Sequence, residues 1–352
     1  MFVSGLGTAN PPRSFGKAEC WEALRTSDWF GKLDRRARII AETVLTRDNG
    51  IESRSLSVDA LGDAFRIDPD TLHARFLANA PVLASTAGDA ALSEADLTAP
   101  EIDGLVISTC TGYLCPGLTS YVVERLGLRA DVLAFDLVGQ GCGAALPNWR
   151  LADALLTAGA CQNVLSICVE VCSAAMYLDN DPGVLISACL FGDGAGAAVL
   201  SRSPRPQRRS IEWRSCASLI NPAERGALMF ESRNGLLRNI LTRPVPRLAA
   251  EHAEQVLHSV LDTAGLEPAD ISAWIMHAGG RDVLDALQRR LQLAPNDLRY
   301  SAAMLHQYGN MSSAFVYFVL KAALEDAADG GWWWMSAFGA GFSCHGALLR
   351  AA

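Results

Sequence analysis

The sequence has 352 residues, of which 50% are hydrophobic and 19% are charged. This composition excludes a disordered or fibrous chain and supplies enough apolar material for one large or two medium-sized cores. The 38 acidic and 30 basic side chains give a net charge of -8, so the chain carries no basic excess for nucleic acid or for an anionic membrane. No apolar run reaches the roughly 18 residues of an integral membrane segment.

Ten cysteines lie mostly within apolar runs, and no two of them form a CxxC pair. Their density is far below that of a small disulfide-stabilised secreted domain, and their spacings match no zinc site. The first twelve residues lack the basic and apolar regions of a signal peptide. We therefore expect reduced cysteines, no bound metal and a cytoplasmic protein.

Strands and helices alternate in the first half of the chain. Apolar runs predict strands over residues 103–109, 132–136 and 163–169, and helical patterns lie between them over residues 119–126 and 151–158. A glycine-rich turn then leads into a strand over residues 190–200. This alternation is typical of an α/β fold.

The second half of the chain also alternates helices and strands. Helical patterns cover residues 251–265, 282–291 and 312–327, and strands are predicted over residues 271–277, through three consecutive tryptophans at 332–334, and after Gly341. We expect two α/β halves of comparable size, residues 1–205 and residues 206–352.

Cys142 lies in a glycine-rich turn between a predicted strand and a predicted helix. Gly139, Gly141 and Gly143 surround it, and glycines permit a turn tight enough to expose the thiol. A helix N-terminus at this point would stabilise the thiolate, which makes Cys142 a candidate nucleophile. The alternative is a cysteine that simply packs at a tight corner.

A nucleophilic cysteine needs a partner distant in sequence, and His277 and Asn310 are the candidates. His277 ends an apolar strand, where α/β sheets place functional side chains, and a cationic imidazole there would lower the pKa of the thiol. Its alternative is a core histidine bonded to backbone, and His306 and His345 are weaker candidates. Asn310 follows a glycine and precedes a predicted helix, so capping of that helix is its alternative role.

Short motifs in chain order strengthen this interpretation. They are the residues at 109–112 (TCTG), 126–128 (LGL), 140–142 (QGC), 170–171 (EV), 190–194 (LFGDG) and 308–313 (YGNMSS). Together with the order Cys142, His277, Asn310, they resemble the thiolase-fold condensing enzymes over nearly the whole chain. Within that superfamily the chain is most similar to the type III polyketide synthases, the chalcone-synthase-like enzymes.

The resemblance implies a five-layered α-β-α-β-α thiolase-like fold of two similar halves, the first with the nucleophile and the second with His277 and Asn310. It implies a homodimeric acyltransferase that uses acyl-CoA and malonyl-CoA with no bound cofactor and no acyl carrier protein. Cys142 would take the starter acyl group, and His277 and Asn310 would bind the malonyl thioester carbonyl. Donors placed around that oxygen would stabilise the enolate left by loss of carbon dioxide.

The resemblance also indicates a substrate-binding set. Phe191 would lie beside the malonyl group, and Cys115 would reach across the dimer into the partner's cavity, although a buried apolar role for Cys115 is as consistent with the sequence. Arginines should surround the tunnel mouth to bind the coenzyme A phosphates. The full set is Phe191, Cys115, Thr111, Cys172, Ala175, Ser312, Gly339, Arg54 and Arg281.

Small or weakly polar residues at Cys172 and Ala175, where plant enzymes carry threonines, favour an apolar starter. We expect a medium or long fatty acyl starter and an alkylresorcinol or alkylpyrone product. Two alternatives are a ketoacyl synthase of fatty-acid initiation, which shares the three catalytic roles, and a non-catalytic thiolase-fold binding subunit. Phe191 in its Gly-Asp-Gly context argues against the first, and retention of the cysteine argues against the second.

Pro147 should kink the helix after Cys142 if it lies beyond the first turn of that helix.

Overall fold

The computed structural model describes residues 1–205 and 209–352, which form thirteen strands and eleven α-helices. The strands are β1 (Phe2–Ala9), β2 (Ser14–Gly16), β3 (Ser53–Ser55), β4 (Gly104–Ser108), β5 (Leu133–Leu137), β6 (Asn163–Glu170), β7 (Gly194–Ser201), β8 (Ile211–Ile220), β9 (Leu228–Arg233), β10 (Leu236–Leu241), β11 (Ile271–Met276), β12 (Gly331–Gly339) and β13 (Ser343–Ala351). The helices are α1 (Lys17–Arg25), α2 (Asp28–Lys32), α3 (Arg35–Thr46), α4 (Pro69–Ala95), α5 (Leu118–Leu126), α6 (Ala145–Thr157), α7 (Pro182–Leu190), α8 (Val245–Ala264), α9 (Arg281–Arg290), α10 (Arg299–Tyr308) and α11 (Phe315–Glu325).

Nine strands form one sheet in the order β11-β12-β13-β8-β1-β7-β6-β4-β5. The order contains a repeat. In the first half β4 runs parallel to β6, which is antiparallel to β7, which is antiparallel to β1. In the second half β11 runs parallel to β12, which is antiparallel to β13, which is antiparallel to β8. Each half therefore builds the same four-stranded arrangement, and β5 is an additional edge strand.

The layers follow from the helix contacts. Helix α4 packs on β1, β6 and β7, and α8 packs on β8, β12 and β13, so each covers the outer face of one half. Helices α6 and α11 contact strands of both halves and lie between them. This is the expected α-β-α-β-α order. The predicted boundary at 205/206 adjoins residues 206–208, which lie outside the described residues, and it stays a prediction.

Small side chains hold the outer helix close to the sheet. Along the 27-residue α4, Ala80, Ala84, Ala87 and Ala91 are completely buried. Alanines at a spacing of three and four residues form one face of a helix and permit close packing.

No helix of the described residues is long and apolar enough to cross a membrane.

Two helix boundaries near the cysteine and asparagine turns differ from the predicted ones. Helix α6 begins at Ala145 rather than at residue 151, so Pro147 lies in its first turn, where a missing N–H costs no helical hydrogen bond. The kink considered for Pro147 therefore does not arise. The helix predicted from residue 312 begins with a 3₁₀ turn, Ser312–Ala314, before α11.

Candidate active site

The turn that carries Cys142 meets the N-terminus of a central helix. A 3₁₀ turn, Gly141–Gly143, leads into α6, and Gly139 and Gly141 both have positive φ, 81° and 55°. Only glycine adopts such angles without strain, which explains the glycine-rich sequence. Cys142 is 8% exposed, and the partial positive charge of the helix end favours a negative charge on its sulfur.

Gly339 lets a second segment approach this turn. It ends β12, and a Cβ added to it would overlap the carbonyl oxygen of Gln140 and the backbone nitrogen of Gly143. Gly339 therefore supports the turn from behind. It lies outside the walls of the cavities described below, so its expected contact with substrate is corrected to a positioning role.

The Asn310 side chain is held in one orientation. Its Oδ1 accepts a hydrogen bond of 2.8 Å from the backbone N–H of Ser312, and its Nδ2 donates to the carbonyl of Gly279 at 3.3 Å. Ser312 adopts φ 51°, an uncommon angle for a residue with a side chain. The amide is thereby fixed ahead of α11, the second central helix. It bonds the first N–H of the 3₁₀ turn before α11, so the capping role holds for that turn and not for α11 itself.

His277 follows β11 and lies between two aromatic rings. Its ring centroid is 5.4 Å from that of Phe315 and 5.1 Å from that of Phe338, both in edge-to-face geometry. Among the described residues neither ring nitrogen has a hydrogen-bond partner, although the side chain is 1% exposed. Buried polar atoms are rarely left unpaired in proteins, so these two nitrogens are candidate hydrogen-bonding groups for a bound molecule.

Burial governs the charges at the site. It raises the pKa of the Cys142 thiol to about 12 and lowers the pKa of the His277 imidazole to about 3, because each isolated charge is poorly solvated there. The Ser312 hydroxyl, 3.2 Å from Cys142 Sγ, opposes this effect at the thiol. A proton passing from Cys142 to His277 would create an ion pair whose mutual attraction offsets part of the desolvation penalty. Burial thus opposes the cationic His277 expected from the sequence.

A buried carboxylate lies behind the nucleophile. Glu170, at the end of β6, is completely buried and accepts hydrogen bonds from Thr111 Oγ1 at 2.9 Å, Ser313 Oγ at 2.5 Å and the Cys110 backbone N–H at 3.0 Å. Burial raises the pKa of Glu170 in spite of these bonds. Ser312 Oγ lies 3.2 Å from both Glu170 Oε1 and Cys142 Sγ, so its single proton is shared between a carboxylate and the nucleophile.

Two cavities meet at Cys142 and Phe191. The first, called here the main cavity, is predominantly apolar, and its walls include Thr111, Cys172, Ala175 and Ser312, four of the predicted substrate-binding residues. The second, called the entrance cavity, is lined by Cys142, Phe191, His277, Asn310 and Arg281. The structure therefore brings the three predicted catalytic residues together in one cavity.

Besides Gly339, two predicted substrate-binding residues lie outside the two cavities. Arg54 is 7% exposed, and its Nη1 donates to the carbonyl oxygens of Ala188 at 2.6 Å and Phe191 at 3.0 Å, at the C-terminus of α7. A guanidinium enclosed in this way supports the chain behind Phe191, which corrects the expectation that Arg54 lies at a tunnel mouth. Cys115 is exposed at the surface, so the alternative of a buried Cys115 is wrong for the single chain.

Sequence reasoning missed Glu170 and the two rings around His277. The sequence presents Glu170 only as part of a short motif, yet a carboxylate that ends the mostly apolar β6 is itself a signal, because such groups are rarely buried without partners. Phe315 and Phe338 give no such signal, because apolar residues in a helix and a strand ordinarily belong to the core.

Among the described residues no group of three acidic, histidine or cysteine side chains is placed to hold a metal ion.

Comparisons with known proteins agree with this geometry. Residues 52–215 match the family described as FAE1/type III polyketide synthase-like protein, and residues 215–352 match the C-terminal domain of chalcone and stilbene synthases. The chain is 33% identical to 1,3,6,8-tetrahydroxynaphthalene synthase of Streptomyces peucetius subsp. caesius, over 99% of this chain and 92% of that protein.

A second relative is the alpha-pyrone synthesis polyketide synthase-like Pks18 of Mycobacterium tuberculosis, 27% identical over 92% of this chain and 84% of that protein. Among solved structures, PKS-I from the brown alga Ectocarpus siliculosus superposes with a TM-score of 0.90 at 24% identity, covering 99% of this chain and 98% of the other. The two halves, the cavity shared by Cys142, His277 and Asn310, and the full-length similarity lead to one conclusion: this chain belongs to the type III polyketide synthases.

Proposed function

We propose that the protein loads a medium or long fatty acyl group from acyl-CoA onto Cys142, extends it with malonyl-CoA and cyclises the product to an alkylresorcinol or alkylpyrone. As a type III polyketide synthase it is an acyltransferase that uses coenzyme A thioesters without a bound cofactor and without an acyl carrier protein. The observation that carries the proposal is the predominantly apolar main cavity next to Cys142.

Loading begins when Cys142 loses its proton and its sulfur attacks the acyl-CoA carbonyl. The bond between that carbonyl and the sulfur of coenzyme A breaks, and the coenzyme A thiol leaves with a proton. Of the described side chains that share the entrance cavity with Cys142, His277 is the neutral base. Our proposal gives His277 the role of proton acceptor.

Extension requires an enolate. Breaking the carbon–carbon bond to the malonyl carboxylate releases carbon dioxide and leaves the electron pair on the thioester as an enolate. A neutral imidazole N–H and the Asn310 amide, already oriented, donate hydrogen bonds to the enolate oxygen. The enolate carbon then attacks the acyl thioester on Cys142, and the carbon–sulfur bond that breaks frees Cys142 for the next cycle. Phe191, on the border of both cavities, supplies an apolar wall beside the carboxylate that is lost.

A further apolar pocket next to the main cavity supports an apolar starter. This pocket, lined largely by apolar side chains, adjoins the main cavity at Met176 and Ala188, which border both spaces. Its other walls include Leu24, Leu45 and Leu56. The pocket is narrow, about 20 Å³, so an alkyl chain that extends from Cys142 past Met176 enters it only when the lining side chains move aside. Each methylene buried there is worth about 0.8 kcal/mol when removed from water.

The entrance cavity fits coenzyme A. Arg36 and Arg243, both exposed, line it together with Arg281, whose Nη2 lies 2.7 Å from Asp48 Oδ1. Three guanidinium groups around one opening are suited to phosphates, which they bind through paired N–H donors. Arg36 and Arg243 thus take the place that Arg54 was expected to fill.

Incubating the purified full chain with malonyl-CoA and acyl-CoAs of graded length, followed by mass spectrometry, tests the starter. We expect alkyl products whose yield rises with chain length before falling. Use of malonyl-CoA as the only starter would contradict the proposal and would favour an aromatic product of the kind named for the Streptomyces relative.

Two variants test the proposed roles in the same assay. Cys142→Ala should abolish condensation while carbon dioxide release from malonyl-CoA remains measurable. Asn310→Ala should lower carbon dioxide release by about 10²–10³-fold, because one donor to the enolate oxygen is lost. Normal release from the Asn310→Ala variant would remove Asn310 from the decarboxylation step.

A homodimer is also part of this proposal. Strand β5 ends the sheet, and Leu133 on it is 40% exposed; beside Cys115, Tyr113 is 73% exposed, and Val138 after β5 is 65% exposed. Large apolar side chains exposed along a sheet edge are typical of an interface. Light scattering coupled to size-exclusion chromatography tests the dimer, and a monomer at micromolar concentration would contradict it.

A reducing, cytoplasmic location is also part of the proposal, because Cys142 must stay a thiol to react.

A further inference from the structure

A two-stranded hairpin outside the main sheet forms one wall of both cavities. It consists of β9 and β10, and its residues Met229, Phe230 and Asn239 line the main cavity, whereas Leu241 lines the entrance cavity. A two-stranded hairpin is marginally stable by itself. The contacts that fix it to the body of the protein therefore determine where this wall stands.

Arg238 makes the charged contacts among them. It lies on β10 and is 8% exposed, and its Nε donates to Asp179 Oδ2 at 2.8 Å while its Nη1 donates to Glu231 Oε1 on β9 at 3.0 Å. Its Nη2 lies 3.6 Å from Asp181 Oδ2. One guanidinium thus joins both strands of the hairpin to the segment before α7. The planar, five-donor guanidinium can face three carboxylates at once, which a lysine cannot do in the same geometry.

These contacts of Arg238 with Asp179, Asp181 and Glu231 are called here the joint. They hold the hairpin against α7, which forms the facing wall of the main cavity. Asp181 caps the helix, with Oδ1 accepting from the backbone N–H groups of Gly183 at 2.8 Å and Val184 at 3.3 Å. A Cβ added to Gly183 would overlap the carbonyl oxygen of Leu241, so the helix and strand backbones are in direct contact. Helix α7 contributes Val184 to the main cavity and leads directly to Phe191.

We propose that Arg238 is a positioning residue that determines product length. By fixing the hairpin against α7 it sets the width of the main cavity, and with it the number of malonyl units that are added before cyclisation and the starters that fit. This rests on the proposed function. Selection by cavity size is sensitive, since one methylene in a fitted apolar pocket changes specificity by about tenfold or more.

The test compares Arg238→Met with Arg238→Lys and with a control, Arg214→Met. Arg214 pairs with Glu212 at 2.7 Å on the half-exposed surface of β8 and contributes to neither cavity. With one acyl-CoA and malonyl-CoA, we expect Arg238→Met to change the ratio of longer to shorter products by about threefold or more and to raise KM for the starter. Carbon dioxide release from malonyl-CoA should stay within about twofold, because the enolate donors are untouched. The lysine variant should give an intermediate ratio, and the control should match wild type.

Hydrogen exchange supplies a readout independent of activity. In Arg238→Met, amides of β9, β10 and the first turn of α7 should exchange about tenfold faster, while those of β6 and β7 stay unchanged, because loss of the joint opens the hairpin locally. If Arg238→Met does not fold, Glu231→Gln removes one of the three carboxylates and should change the product ratio relative to wild type by less than threefold, with faster exchange in β9 and β10. An unchanged ratio in that variant overturns the role of Arg238.

Failure of the two proposals is distinguishable. A wild-type chain that makes no polyketide from any coenzyme A thioester overturns the proposed function and the specificity role that depends on it. Wild-type product with an unchanged product ratio in Arg238→Met, or with condensation and decarboxylation lowered equally, overturns the role of Arg238 alone. Unchanged hairpin exchange in that variant overturns the joint itself.

Discussion

At Cys142 burial opposes formation of the thiolate. The surroundings compensate in part, through the N-terminus of α6 and the Ser312 hydroxyl. Ser312 is itself fixed by Asn310, which accepts a hydrogen bond from its backbone N–H. The proposed nucleophile and the proposed enolate donor are therefore linked through one residue with a strained backbone, so a change at Ser312 would disturb both.

Replacement of His277 by glutamine tests its role as proton acceptor. The variant retains a polar side chain but no base, so the ion pair that offsets part of the desolvation of the Cys142 thiolate can no longer form. We expect the rate of Cys142 alkylation by iodoacetamide to rise at a higher pH in His277→Gln than in wild type. Mass spectrometry of the labelled peptide, with Cys142→Ser as the blank, measures it. Identical pH profiles in the two proteins would mean that His277 does not accept the proton.

At the scale of elements, the repeat within the fold explains how the site is assembled. Helices α6 and α11 are the central helices, and a hydrogen bond of 3.1 Å from Trp149 Nε1 to Tyr317 Oη joins them. Each begins directly after a segment that carries a candidate catalytic residue, Cys142 before α6 and Asn310 before α11. Two helix N-termini thus lie on one side of the site, where their partial positive charges favour a negative charge.

The contact between β12 and the Cys142 turn gives a prediction for Gly339→Ala. The new methyl group would overlap backbone atoms of Gln140 and Gly143, so the turn must shift. We expect condensation to fall by about 100-fold, the effect of a misplacement of about 1 Å, and the free energy of unfolding to fall by about 1–3 kcal/mol. Steady-state kinetics and urea denaturation measure these two quantities.

Gly226→Ala is the matched control, because an added methyl group at Gly226 meets no atom within 4 Å. It should leave both quantities unchanged. Full condensing activity in Gly339→Ala would show that the turn tolerates the shift and that Gly339 has no positioning role.

For the whole molecule, two buried imidazoles make stability depend on pH. Burial lowers the pKa of His277 to about 3 and that of His345 to about 4, from the ordinary value of 6.5. Between these values and 6.5 the unfolded chain binds more protons than the folded one, so stability is present above pH 6.5 and is lost as the pH falls toward 3. Each group contributes about 1.4 kcal/mol per pH unit within its window.

Urea denaturation at a series of pH values measures this dependence. The variants His277→Gln and His345→Gln should each lower the slope of unfolding free energy against pH by about one proton between pH 6.5 and 4. His345 donates to or accepts from Ser218 Oγ at 2.8 Å, a contact that glutamine can also make. Slopes equal to that of wild type in both variants would mean that the two imidazoles are not held neutral by the fold.

Much of this protein was readable from its sequence. Apolar runs predicted the central strands within one or two residues, because β4 and β6 are buried on both faces and are therefore mostly apolar. The glycines around Cys142 predicted a tight turn because positive φ angles require them. The motifs around Cys142, His277 and Asn310 indicated the type III polyketide synthases, which the comparisons confirmed.

Only the tertiary structure decided which polar side chains face a cavity and which support one. Arg54 and Arg281 look alike in sequence, yet one is enclosed behind Phe191 and the other lines the entrance cavity. Glu170 gained its partners from segments about 60 and 140 positions away, and Arg238 joined strands to a helix across a similar span. Such contacts depend on how distant segments pack together, and the pattern of apolar and polar residues within one segment does not predict that packing. Sequence by itself therefore determined the family and the candidate chemistry, and the fold determined how the cavity around that chemistry is held in shape.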